Sequence, residues 1–149
     1  MTSPYYRVQH SLPLGETPAV KARLCAEGLW QLVTDELREV YYYRIDIKRK
    51  RRDFCAVGWP NENGGWEVRH PAYTGCIGSK GITFIAGDTK TLHIFADFTD
   101  YLCWRYYHKQ ENPSLLILNH PEFLPAARKR AEQFASVTIG FNRIPDFFN

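Results

Sequence analysis

Long apolar stretches are missing from this 149-residue chain. Its apolar runs break after a handful of residues, far short of the roughly 20 that a membrane-spanning helix needs. The opening residues lack the basic-then-apolar order of a secretory leader, because Thr2, Ser3 and Pro4 lead directly into Tyr5, Tyr6 and Arg7. The two absences together lead to the expectation of a cytoplasmic protein that does not enter a membrane. Closely spaced cysteines are also missing. Cys25, Cys55, Cys76 and Cys103 lie far apart, whereas a zinc ribbon or knuckle needs paired Cys or His a few residues apart. Buried thiols are expected instead, and none has a base beside it in the sequence to make it a nucleophile. His70, His93, His108 and His120 are scattered, which gives no sign of a catalytic histidine. There is no Gly-rich phosphate loop of the P-loop type, no internal repeat and no low-complexity tract.

What remains is an ordinary globular mixture. Apolar residues at 44% and charged residues at 23% exclude a disordered chain. The length suits one domain or two joined subdomains, with enough buried surface to need no metal or disulfide staple. Aromatic residues reach 15%, which suits either a core of large rings or a surface on which bases stack.

Charge is distributed unevenly. Lys48, Arg49, Lys50, Arg51 and Arg52 form one unbroken basic run. They are five of the 19 Lys and Arg, and the rest are outnumbered by the 16 Asp and Glu. The positive excess of the chain therefore sits in this run. Such a run binds phosphates through counterion release, or it is the solvated tip of a hairpin.

Local signals divide the chain into three parts. Residues 1–37 read as an irregular arm with short helices: Pro18 opens a helix that runs to about Ala26 and ends at Gly28, and a helical turn follows around Trp30 to Leu37. Residues 38–88 read as a mainly antiparallel, basic β subdomain. Val40-Tyr41-Tyr42-Tyr43-Arg44-Ile45-Asp46-Ile47 is rich in β-branched and aromatic residues, Asp53-Phe54-Cys55-Ala56-Val57-Gly58-Trp59 reads as a second strand, and the basic run between them forms the tip of a hairpin. Pro60-Asn61-Glu62-Asn63-Gly64-Gly65 is a turn, Trp66 to His70 a third strand and Ile82 to Ile85 a fourth. Gly87-Asp88 marks the boundary to residues 89–149. There the order is strand (Leu92 to Ala96), helix (Phe98 to His108), strand (Ser114 to Asn119), helix from Pro121, and strand (Ser136 to Phe141). This β-α-β-α-β order implies a parallel sheet, with Leu124, Ala127, Ala131 and Phe134 on the buried face of the second helix. The fold class is thus α+β joined to a Rossmann-like α/β unit.

In such sheets the site lies beyond the carboxyl ends of the strands, here Ala96-Asp97, Asn119-His120 and Phe141-Asn142-Arg143. Residues 92–141 resemble a truncated Toprim domain, most closely that of the primase-like proteins of bacterial mobile elements. Ile94-Phe95-Ala96-Asp97-Phe98-Thr99-Asp100 stands where that family has a Glu at the strand end and an Asp four residues on. Leu118-Asn119-His120 stands for Leu-Asn-Ser, and Phe141-Asn142-Arg143 for Asp-x-Asp. Upstream, Gly58-Trp59-Pro60-Asn61, Gly64-Gly65-Trp66-Glu67-Val68-Arg69 and Gly75-Cys76-Ile77-Gly78-Ser79-Lys80-Gly81-Ile82-Thr83 resemble the basic subdomain of such primases. The resemblance implies contact with DNA or RNA at Arg69 and Lys80, beside Lys48, Arg49, Lys50, Arg51 and Arg52. It also implies a replication or mobilisation protein as partner.

The acids of the family are replaced by Ala96, Phe141 and Arg143, which leaves Asp100. One carboxylate is a poor ligand set for Mg²⁺, a hard cation that takes several oxygens. The expectation is a non-catalytic nucleic-acid-binding protein with no cofactor. The alternatives are a Mg²⁺-dependent nucleotidyl transferase using Asp97, Asp100 and Asp146, and a protein-interaction module. Asp97 and Asp100 also suit the start of a helix, where acids cap free N–H groups. Three parallel strands leave an open edge, at which a second copy or a partner chain would complete the sheet.

Overall fold

The computed structural model describes residues 6–140 apart from Ala72. They form a mixed α+β structure in two units, one with a large antiparallel sheet and one with a smaller mixed sheet. The first unit runs up to Pro60 and resumes over Gly64–Lys80. The second takes Asn61–Asn63 and continues from Gly81.

The first unit holds β1 (Tyr6–Pro13), α1 (Pro18–Ala26), β2 (Arg38–Ile45), β3 (Arg51–Pro60), β4 (Trp66–His70) and β5 (Tyr73–Ile77). Its strands lie side by side in chain order, each antiparallel to the next. The rings of Tyr6 on β1 and Tyr73 on β5 are 4.5 Å apart, so the sheet curls until its outer strands meet. One face buries Tyr6, Val40, Tyr42, Phe54, Ala56, Val68 and Ile77. Period-two alternation puts Glu39, Tyr41, Cys55 and Arg69 on the other face.

The β1 strand corrects the expectation of an irregular arm. Its alternation is broken by a bulge between Val8 and His10, and its residues are mostly polar, so no apolar period shows in the sequence. The expected helix is present as α1, with Pro in its first turn. It ends in a Schellman motif: the Gly28 N–H donates to Cys25 O and the Leu29 N–H to Leu24 O, with Gly28 at φ +74°. The following helical turn shrinks to a 3₁₀ segment at Trp30–Leu32. The strand β5 was not expected, because Gly75 and Thr74 dilute its pattern.

The second unit holds β6 (Thr83–Ile85), β7 (Asp88–Phe95), α2 (Phe98–Tyr107), β8 (Pro113–Ile117), α3 (Leu124–Ala131) and β9 (Ser136–Ile139). The sheet order is β6-β8-β7-β9. The strands β7, β8 and β9 are parallel, as the β-α-β-α-β order requires. The apolar run Leu115-Leu116-Ile117-Leu118 is fully buried because β8 is covered on both faces. Ala127, Leu124, Ala131 and Phe134 pack with Leu92, Ile94 and Leu116 on one face. On the other, Phe95 and His93 meet Tyr101 and Trp104 of α2. The segment expected as a fourth strand of the first sheet, β6, instead pairs antiparallel with β8 and covers that edge of the parallel unit. Among the described residues β9 is the opposite edge, and all four of its residues are exposed. No helix among the described residues is long and apolar enough to cross a membrane.

Candidate nucleic-acid interface

The basic run occupies the β2–β3 hairpin. Ile45 pairs with Arg51, so residues 46–50 make the turn. Asp46 builds it. Its Oδ1 accepts the backbone N–H of Lys48 at 2.9 Å and of Lys50 at 2.8 Å, while its own N–H donates to Lys50 O at 3.0 Å. The Arg49 N–H closes the turn on Asp46 O at 2.9 Å. Arg49 itself sits at φ +61°, the left-handed conformation of a three-residue hairpin loop that Gly or Asn usually fills. An arginine there costs about 1–2 kcal/mol.

The five cations of the run separate into three groups. Lys48, Arg49 and Lys50 are exposed, and their side chains make no hydrogen bond or ion pair. Arg51 is engaged: its Nε lies 2.9 Å from Asp53 Oδ1, its Nη2 donates to Gln9 Oε1 at 2.9 Å, and its guanidinium stacks 4.1 Å from the Tyr43 ring centroid. Arg52 projects to the other face of the sheet, where its guanidinium lies 5.5 Å from the Phe54 ring centroid. Directly across the register, Arg44 lies 5.9 Å from the same ring. Beside the cations, Ile47 is 98% exposed at the apex.

Arg69 and Lys80 do not join the turn as one surface. Arg69 pairs with Val57 on β4, on the face opposite Phe54, and Lys80 lies in the exposed loop after β5. Arg44 was missed as a candidate because it lies outside the run. Once the apex is placed at Lys48, its equal distance from that apex to Arg52 gives the pairing.

In the second unit, Asp97 is the N-cap of α2, and its Oδ1 accepts the Asp100 N–H at 3.0 Å. The capping expectation therefore holds for Asp97. Ala96, in the position where the resemblance has a Glu, is buried and offers no ligand atom. Asp100 borders a cavity of about 320 Å³ lined by Phe95, Cys103, Trp104, Tyr107, His108 and Gly140, with no second carboxylate among these residues. Mg²⁺ takes several hard oxygen donors, and Asp100 is the one carboxylate of this described lining. Asn119, at φ +63°, donates from Nδ2 to Gly81 O and Thr83 Oγ1, both at 2.9 Å, and so ties the end of β8 to β6. Phe141, Arg143 and Asp146 lie outside the described residues.

The thiols correct another expectation. Cys25 is exposed, and Cys55, Cys76 and Cys103 are only partly buried. Burial pushes the Cys55 thiol above its usual pKa, which keeps it protonated and unreactive.

A family model described as a domain of unknown function (DUF8464) matches residues 29–78. The matched segment contains β2, β3, β4 and β5, and hence the basic hairpin. No curated protein and no solved structure matches the chain.

Proposed function

We propose that this protein binds nucleic acid, DNA or RNA, without catalysing phosphoryl transfer, and that Lys48, Arg49 and Lys50 are its principal phosphate contacts. The supporting observation is the turn itself. Three unpaired cations are held on a backbone that Asp46 fixes, and one of them occupies a left-handed position at an energetic cost. A solvated tip would gain from Gly or Asn at residue 49, and retention of strain at such a place points to use. Arg52 and Arg44 extend the positive surface down one face of the hairpin.

The non-catalytic reading is supported by Ala96, whose side chain has no ligand atom, and by Asp97, whose carboxylate caps α2. The resemblance to primase-like Toprim proteins adds a context, the replication or mobilisation of a mobile element, and it alone supports that part of the reading.

Fluorescence anisotropy with single-stranded DNA, duplex DNA and RNA over a salt series tests the proposal. The wild type should bind at about 150 mM salt, and the variant with Lys48, Arg49 and Lys50 all changed to Ser should lose about two to three units of log–log salt slope. An unchanged slope, or no binding by the wild type, sinks the reading.

A further inference from the structure

The inner face of the curled sheet carries a second concentration of charge that the turn does not explain. Arg44 and Arg52 are direct cross-strand partners, an arrangement that repels when both residues are cationic. Both guanidiniums lie over one ring, Phe54, and the His70 ring meets that same ring edge-on at 5.4 Å. Burial, with Arg23 and Arg52, holds the His70 imidazole below its ordinary pKa.

Tyr42 Oη is buried there and makes no hydrogen bond. Burial keeps the phenol protonated, so it is a donor that lacks an acceptor. A buried donor without an acceptor is costly, and an ordered water, an ion or a ligand can supply one.

We infer that Arg44 and Arg52, set over the Phe54 ring beside His70 and Tyr42, form a binding site for a phosphate monoester. The chemistry of the cluster selects this ligand. Two guanidiniums over one ring match a dianion of about two negative charges better than an internal phosphodiester with one. Phosphate oxygens accept the N–H forks of arginine in pairs, and they also accept the Tyr42 donor. Phe54 holds the two guanidiniums from beneath through its ring face. If the protein binds nucleic acid as proposed above, the monoester is the terminal phosphate of a strand. The site itself does not depend on that reading, because a small phosphorylated molecule offers the same group.

The test separates the two. Inorganic phosphate, a 5′-mononucleotide, and an oligonucleotide with and without a 5′-phosphate are titrated into wild type, into Arg44→Gln/Arg52→Gln, and into Lys48→Ser/Arg49→Ser/Lys50→Ser. His70 imidazole resonances are followed throughout. The site predicts saturable phosphate binding that raises the His70 pKa. It predicts about a tenfold preference for the 5′-phosphorylated strand, in line with charge-assisted pairs to two arginines. The Arg44/Arg52 variant should lose both effects while the Lys48–Lys50 variant keeps the preference. Removing the like-charge pair should leave the thermal melt at or above that of wild type, so loss of binding is not loss of fold. Binding of phosphate or mononucleotide with no gain from the oligonucleotide supports the site and removes the nucleic-acid reading. Oligonucleotide binding that ignores both the 5′-phosphate and the Arg44/Arg52 change overturns the site and leaves the nucleic-acid reading standing.

Discussion

The fully buried carboxylate of Glu39 accepts the backbone N–H of Thr17 at 2.9 Å, at the N-terminal end of α1. The same carboxylate takes the Gly15 N–H at 2.9 Å and the Tyr41 hydroxyl at 3.1 Å. Burial alone would raise the Glu39 pKa, but the hydrogen bonds from Thr17, Gly15 and Tyr41 outweigh it and hold the group below its ordinary 4.5. Its folded-state pKa is thus depressed, and the stability it contributes is present above about 4.5 and is lost as pH falls through the lower folded value. Glu39→Ala strands the Gly15 and Thr17 N–H groups, while the Tyr41 hydroxyl keeps Thr17 Oγ1 as a partner, and should cost about 2–3 kcal/mol in urea unfolding at neutral pH. Below pH 4 the difference from wild type should shrink.

Arg49→Gly separates stability from binding. Glycine takes the left-handed conformation at residue 49 without penalty, so unfolding free energy should rise by about 1 kcal/mol. The same change removes one phosphate contact and should lower the salt slope of nucleic-acid binding by about one unit. A variant that is both more stable and still binds with the wild-type slope would show that this side chain is not used.

Asp97 makes the converse case, a residue with a structural task. Asp97→Ala should cost about 1 kcal/mol through loss of the α2 cap, and Asp97→Asn should recover most of it because an amide oxygen also caps. Mg²⁺ at millimolar concentration should shift the melting temperature of none of these proteins. A shift specific to wild type would restore Asp97 as a ligand.

His70 and His93 give the protein a weakness to mild acid. Burial, together with Arg23 and Arg52 for His70 and with His108 for His93, holds both imidazoles below their ordinary 6.5, while Glu111 acts weakly the other way on His93. The unfolded chain therefore binds protons first as pH falls. The stability tied to the neutral rings is present above about 6.5 and is lost as pH drops through the lower folded values. Thermal melts from pH 7.5 to 5 should show a declining midpoint, with a shallower decline for His70→Gln. Phosphate at the arginine cluster favours the charged ring and should also flatten the wild-type curve.

How far the sequence reveals this molecule depends on which signal each element carries. The β2–β3 hairpin and the β7-α2-β8-α3-β9 order are legible, because continuous apolar or β-branched runs are punctuated by Pro, Gly and Asp. The strand β1 is not, because a bulge at Val8/His10 breaks its period. The sheet to which β6 belongs is not legible either, since a three-residue strand carries no information about its partner. For the candidate site, the basic run is visible as a string, but its division is not. Arg51 turns to Asp53 and Arg52 to Phe54 because neighbouring strand residues face opposite sides. The place of His70 beside the Phe54 ring depends entirely on the pairing of β4 with β3.

The alternation across the Asp46 turn also constrains how this segment can change length. One residue inserted into or deleted from 46–50, absorbed by a slip of β3 against β2, would turn every following side chain of β3 over. Arg51 and Asp53 would then turn to the inner face, while Arg52, Phe54 and Ala56 would leave it. Substitutions of Lys48 or Lys50 alter the charge of the apex while Asp46 still builds the turn. Among divergent versions of this hairpin these two positions should therefore vary more freely than the length of the loop, and a single-residue indel there should be as damaging as a mutation in the core.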